Sequence, residues 1–253
     1  MISRREILAL IPARGGSKAI PRKNLLMIAG KPLIAYSIEQ ALSSRYVTRT
    51  IVSTDDPEIA DVARRCGAEV PFMRPAELAA DRSTDLEVFR HALGWLRDRE
   101  GYGSELVVHL RPTGPVRRVA LIDRAIEALL DRPDADSLRS VSWPTETPYK
   151  MWRIVGDCLE PLLELPGVAE PHCAPRQTLP EVYWQNGYVD IVRPRVILEE
   201  SLMCGRRIVP FVIDEPIFEL DYADSIPGIE AALTQLQQRA HPDPEHSVKR
   251  HPV

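Results

Sequence analysis

At 253 residues, with 44% hydrophobic and 27% charged side chains, the chain has an ordinary globular composition and is long enough to bury a real core. A formal net charge of −4 leaves no basic field for a polyanion, which argues against nucleic-acid binding. Four widely spaced cysteines (Cys66, Cys158, Cys173, Cys204) with no C-x-x-C pair argue against a disulfide framework. The N-terminal apolar run stops at a charged loop, and no run approaches the ~18 apolar residues of a membrane span. A cytoplasmic protein with reduced thiols is expected.

"EILALIPA" (6–13) reads as a buried strand, a continuous apolar run stopped by Pro12 and two glycines. "PLIAYSIEQALSS" carries apolar residues at helical spacing. "RTIVSTDD" is a second strand ending in a polar cluster, and "PEIADVARRCG" a helix opened by Pro57 and closed by Gly67. "AEVPFMR" is predicted as a short third strand, "STDLEVFRHALGWLRD" as a helix with Ser83 or Thr84 as N-cap, "ELVVHLRP" as a fourth buried strand and "VALIDRAIEALLD" as another amphipathic helix. Strand and helix thus alternate through about residue 135, the pattern of an α/β protein with a mostly parallel sheet and helices on both faces. The rhythm breaks at about 140–185, a Pro- and aromatic-rich stretch with three of the four tryptophans (Trp143, Trp152, Trp184). Two readings fit it, an irregular loop region or a short antiparallel insertion that packs on a second subunit. "RIVPFVI" returns as a core strand and "DSIPGIEAALTQLQQRA" as a closing helix. The tail 241–253, with His241, His246 and His251, is expected to be flexible.

Ligands in such sheets sit beyond the carboxyl ends of the strands. The polar clusters "ARGGSK", "STDD" and "RPTGPVR" fall there. The first is neither a G-x-G-x-x-G nor a G-x-x-x-x-G-K-[ST] loop. Gly15 and Gly16 open its backbone to close approach, and Arg14, Lys18 and Lys23 bring three positive charges, with Arg22 beside them. Backbone N–H groups and cations together suit a triphosphate and the charge that develops in nucleotidyl transfer.

"LIPARGGSKAIPRKN", "VSTDD", "RPAELAAD", "LRPTGPVR", "PRQTLP" and "QNGYVDI" occur in the order and spacing of the CMP-sialic acid synthetases (acylneuraminate cytidylyltransferases). The chain resembles that family over nearly its whole length up to the last helix. The resemblance implies a Rossmann-like nucleotidyltransferase domain over 1–240, with about 140–185 as a protruding dimerisation and acceptor-binding element. It also implies CTP as co-substrate, Mg²⁺ as cofactor and a homodimer with shared active sites. Ala13, Arg14, Ser17, Lys18 and Lys23 match the loop that holds the triphosphate, with Arg14 and Lys23 placed to stabilise charge at the α-phosphate and on pyrophosphate. Arg74, Asp81 and Thr84 match the segment around cytosine and ribose. Arg111, Lys150, Arg176 and Asn186 match acceptor-binding positions, Lys150 and Arg176 being lent to the neighbouring site. Glu219 and Asp221 stand where the family has a D-x-D pair before the last helix, which assigns them to Mg²⁺ and Asp221 to catalysis. An alternating extended backbone puts both on one face.

Three positions depart from the family. Ala19 replaces a glycine, Arg111 a glutamine, and Asp190 a frequent tyrosine. The function expected is transfer of CMP from CTP to an anionic nonulosonic (sialic-acid-like) sugar. The alternatives are the same chemistry on a 3-deoxy-octulosonate or a phosphonate, a sugar-1-phosphate nucleotidyltransferase, whose longer G-x-G-x-R loop "PARGGSK" does not fit, and a non-catalytic nucleotide-binding protein.

Overall fold

The computed structural model describes residues 5–240; residues 1–4 and the 241–253 tail, with its three histidines, lie outside the described residues. In chain order the elements are β1 (Ile7–Pro12), β2 (Met27–Ile28), β3 (Lys31–Pro32), α1 (Leu33–Ser43), β4 (Arg49–Ser53), α2 (Pro57–Arg65), α3 (Asp85–Glu100), β5 (Leu106–His109), α4 (Val119–Leu130), β6 (Ser137–Ser142), β7 (Trp152–Val155), β8 (Cys158–Pro161), β9 (Trp184–Val192), α5 (Pro194–Leu198), β10 (Ile208–Val212) and α6 (Ile226–Ala240). Six strands make one sheet in the order β10-β6-β9-β5-β1-β4. All neighbours are parallel except β9, which runs antiparallel between β5 and β6.

β1 shows why the run of apolar residues is needed. Successive side chains of a strand point to opposite faces, so a central strand covered on both must be apolar throughout. Ile7, Ala9 and Ile11 pack with α1, α2 and α4 on one face, and Leu8 and Leu10 with α3 and α5 on the other. α6 closes a third cluster over Leu33 and Tyr36 of α1, through Ile229 and Leu233.

The helix starts follow local chemistry. The Asp56 side chain accepts from the backbone N–H of Glu58 and Ile59, with Pro57 at the first helical position. Thr84 caps α3 in a capping box with Glu87, so of the two residues considered Thr84 takes the role.

Two strand expectations change. "AEVPFMR" is not a strand; Glu69 alone bridges to Ile51 beside β4, and the proline that follows removes the next ladder donor. "RIVPFVI" yields β10, which pairs only with β6 and lies at the sheet edge, with Ile208 and Val212 exposed. Its apolar letters reflect an edge strand rather than the centre of the core.

The break in rhythm resolves into an antiparallel hairpin, β7 paired with β8, flanked by short 3-10 turns. Its apolar side chains face outward, with Ile154 79% and Leu159 59% exposed. All four cysteines are free, two of them exposed. No described helix is long and apolar enough to cross a membrane.

Asp136 joins β6 to the segment before β10. It accepts from the backbone N–H of Arg207 (2.9 Å) and Arg206 (2.8 Å) and from the Arg195 guanidinium at 2.5 Å, and these bonds pull its carboxyl down to about 2. A depressed carboxylate contributes stability above its unfolded value of 3.8 and loses it as pH falls through the folded value. Asp136→Asn is therefore expected to destabilise the fold by roughly 2 kcal/mol at neutral pH. Urea titrations of both proteins should show the gap closing between about pH 4 and pH 2.

Candidate active site

The parallel strands β1, β4 and β5 end along the same edge of the sheet, and the loops that leave them build the site. The Ala13 N–H donates to the Ser53 carbonyl (3.0 Å), extending the ladder one residue past β1. The Gly15 N–H then donates to Asp55 Oδ1 at 3.0 Å, tying the basic loop to the end of β4. A Cβ at Gly15 would lie 2.7 Å from Asp56 Oδ2 and 2.9 Å from its Cβ, so the approach requires glycine. Asn24 donates to the Arg14 carbonyl (2.9 Å) and closes the loop.

Ala19 needs no glycine-like backbone here. The left-handed residue of the loop is Arg22 (φ 54°), whose guanidinium pairs with Glu58 at 2.6 Å and Asp56 at 3.6 Å. The glycine-to-alanine departure is thus accommodated by where the loop turns.

A cleft of about 300 Å³ opens beyond these strand ends, lined by Arg14, Ser17 and Lys23 on one side and by Arg74, Asp81, His109 and Arg111 on the other. Arg14 donates to the Ala80 carbonyl (3.0 Å) and lies 3.3 Å from Asp81, which also pairs with the exposed Lys18. The Lys18 hydrogen bond, with the charges of Lys18 and Arg14, holds the Asp81 carboxyl below its usual range. Arg74 is buried beneath the cleft and donates to the Ser53 hydroxyl (3.1 Å) and carbonyl; burial pulls its basicity down.

Lys23 reaches the far wall. Its Nζ donates to the Leu220 carbonyl at 2.9 Å and lies 3.8 Å from Asp221. The 217–221 segment is not a strand; Leu220 is buried, Glu219 is half-buried with its carboxylate against Gly187, and Asp221 is exposed. The Leu220 N–H donates to the Thr113 carbonyl at 2.7 Å, fixing the pair against the loop after β5. Burial, then the neighbouring Asp221 charge, pushes the Glu219 carboxyl up. Among the described residues no third His, Cys, Asp or Glu completes a metal cluster with these two.

The sequence profile of the family described as Cytidylyltransferase matches residues 8–155. A CMP-N,N'-diacetyllegionaminic acid synthase of Legionella pneumophila is 32% identical over 238 residues, 92% of this chain and 98% of that protein. The chain belongs to the cytidylyltransferase family. A pseudaminic acid cytidylyltransferase of Campylobacter jejuni is 40% identical over 123 residues, 49% of this chain and 53% of that protein. A solved structure of a CMP:2-keto-3-deoxy-manno-octonic acid synthetase complexed with CTP superposes with a TM-score of 0.68 at 18% identity, covering 91% of this chain and 99% of that one, a likeness of fold.

Not every expected residue of this cytidylyltransferase reaches the cleft. Thr84 is used as the α3 cap, and its neighbours Ser83 and Asp85 line the cleft instead. Asn186 is buried and its amide is spent internally, donating to Ser142 Oγ (2.8 Å) and accepting from the Tyr188 N–H (3.1 Å). It braces the irregularity within β9, where Gly187 (φ 64°) lets Glu219 pass, rather than facing an acceptor. Lys150 and Arg176 stand in the insertion outside this cleft, Arg176 donating to the carbonyls of Pro144 and Thr145.

Other members were not legible. Asn24 and Asp55 act through the backbone of a loop whose path no pattern states. His109 ends the run "LVVH" and reads as one more buried strand residue. In the structure it is 1% exposed, packs edge-on to Phe89 at 4.6 Å, and neither ring nitrogen has a hydrogen-bond partner. Burial, followed by the charges of Arg111, Arg139 and Arg117, holds it well below the usual imidazole range, so it is neutral. A histidine breaking an otherwise aliphatic run next to "RPTGP" is the one signal that marks it.

Gly15→Ala is expected to weaken CTP binding roughly tenfold, about 1.4 kcal/mol, by pushing the loop off Asp55 and Asp56. Calorimetric titration with CTP measures this, and unchanged affinity would show that the close approach is dispensable.

Proposed function

We propose that the chain transfers CMP from CTP to an anionic nonulosonic, sialic-acid-like sugar, releasing pyrophosphate, with Mg²⁺ as cofactor. The observation that carries this is the convergence of Arg14, Ser17 and Lys23 in one cleft at the strand ends, with Lys23 3.8 Å from Asp221. The acceptor class is supported by the relative that spans 98% of its own length in the match, whose name is a CMP-N,N'-diacetyllegionaminic acid synthase. In the reaction the acceptor's anomeric oxygen forms a bond to the α-phosphorus as the bond to pyrophosphate breaks. Arg14 and Lys23 offset the charge that grows on the α-phosphate and the departing group, as pre-placed cations do best.

Glu219 and Asp221 would hold the Mg²⁺. Carboxylate oxygens are the hard donors it prefers. The Glu219 carboxyl, raised first by burial and then by the Asp221 charge, fits such a role, because a divalent cation would offset both. With two carboxylates among the described residues, the remaining ligands would have to come from outside this pair. When bound, the ion supplies charge neutralisation across the triphosphate.

We further read the protein as a cytoplasmic homodimer. The free thiols support a reducing compartment. The outward-facing Ile154, Val155 and Leu159 of the hairpin support a partner that covers them. In such a dimer Lys150 and Arg176, on that same insertion, would be the residues lent to the neighbouring site.

Pyrophosphate release with CTP and Mg²⁺, measured across legionaminate, pseudaminate, N-acetylneuraminate and 3-deoxy-octulosonate, tests the acceptor. Turnover is expected with a nonulosonic acid; turnover with 3-deoxy-octulosonate alone would favour that acceptor instead. Asp221→Asn is expected to lower kcat roughly 100-fold, partly recoverable at high Mg²⁺. Full activity of that variant at low Mg²⁺ would remove Asp221 from the metal site.

A further inference from the structure

β5, β9 and β6 lie side by side behind the cleft, and their register sets His109 and Arg139 directly opposite Asp190, one on each neighbouring strand. Asp190 is 3% exposed, so an ionised carboxylate there depends on cationic partners. Arg139 and Arg111 both supply them, each 2.6 Å from the same oxygen, Oδ2. Arg111 also lies 3.4 Å from the half-exposed Asp85 at the start of α3. Of the three, only Arg111 lines the cleft.

Two guanidinium groups thus share one buried carboxylate, and the Asp85 carboxylate lies 3.4 Å from Arg111 at the cleft. His109, opposite Asp190 on β5, has no hydrogen-bond partner at either ring nitrogen. The inner edge of Arg111 is held by Asp190 at 2.6 Å. Burial alone would weaken Arg111 as a cation, and Asp190, with Asp85 and Glu219, more than offsets this.

We propose that Asp190 and Arg139 are positioning residues for Arg111. Asp190 fixes the guanidinium, and Arg139 shares the Asp190 charge, so that Arg111 presents its cleft-facing edge to the carboxylate of the acceptor. The two departures Arg111 and Asp190 are then one coupled change, with Arg139 as its third part. This rests on the function proposed above, with an anionic sugar acid as acceptor.

The test uses the full chain with CTP, Mg²⁺ and the best acceptor of the panel. Arg111→Gln, Asp190→Asn and Arg139→Gln are each expected to raise the acceptor KM roughly tenfold or more, while CTP affinity stays within about twofold. Because Asp190 acts only through Arg111, Asp190→Asn should add less than about twofold in the Arg111→Gln background. Full additivity there, an unchanged acceptor KM in the Asp190→Asn single variant, or an equal loss of CTP affinity would each overturn the proposal. Where Asp190→Asn does not fold, Arg139→Lys, which keeps the charge but loses the fork, is judged by the same criteria. If the wild-type chain turns over none of the acids, the function reading falls and this inference with it; additive variants of an active wild type overturn the inference alone.

Discussion

A single hydrogen bond, from the Gly15 N–H to the Asp55 carboxylate, sets the geometry of the site. It fastens the loop that leaves β1 to the end of β4, and the space it leaves admits no side chain at position 15. With that junction closed, Arg14 is turned toward Asp81 on the segment before α3, while Lys23 is carried across to the Leu220–Asp221 segment before α6. Three stretches far apart in the chain are thereby held around one cleft by polar contacts that converge on a ten-residue loop.

The wall behind the cleft follows a different logic. Buried charges persist where each has a partner and fail where one is removed. Arg111 taken alone places a surplus cation where the family has an amide, and Asp190 taken alone buries an anion where the family has a tyrosine. Behind the cleft Arg111 donates to Asp190 Oδ2 at 2.6 Å, and Arg139 lies 2.6 Å from the same oxygen. The two departures meet in one contact. Arg117 shows the contrasting solution: fully buried without a carboxylate partner at salt-bridge distance, it donates to the carbonyls of Tyr188, Gly114 and Arg111, and burial pulls it down to about 10. It braces the loop after β5, on which Thr113 in turn holds Leu220.

The insertion is the least core-like part of the chain. Its hairpin turns aliphatic side chains to solvent and keeps its hydrogen bonds to itself. An antiparallel ribbon of two short strands is marginal alone, which is the physical ground for reading it as an element completed by a second copy.

Much was legible from the letters alone, for a reason that differs by region. Apolar runs and helical spacing state which residues must leave water, so the alternating strands and helices, the α3 cap and the basic strand-end loop follow directly from the sequence. "RIVPFVI" misled because an edge strand and a central strand can share an apolar composition; only pairing on one side or two distinguishes them. Asn186 and Thr84 misled because a polar residue near a motif can equally well satisfy backbone groups, and that choice depends on what lies within 3 Å. The chain by itself determined the fold class and the basic loop at the end of β1, since each is a local run whose chemistry travels with its letters. The tertiary structure decided that Arg111 and Asp190 are partners, that His109 sits neutral at the cleft and that Asp221 meets Lys23. Those facts arise between residues 20 to 198 positions apart, where only the register of the sheet and the packing of loops set the distance.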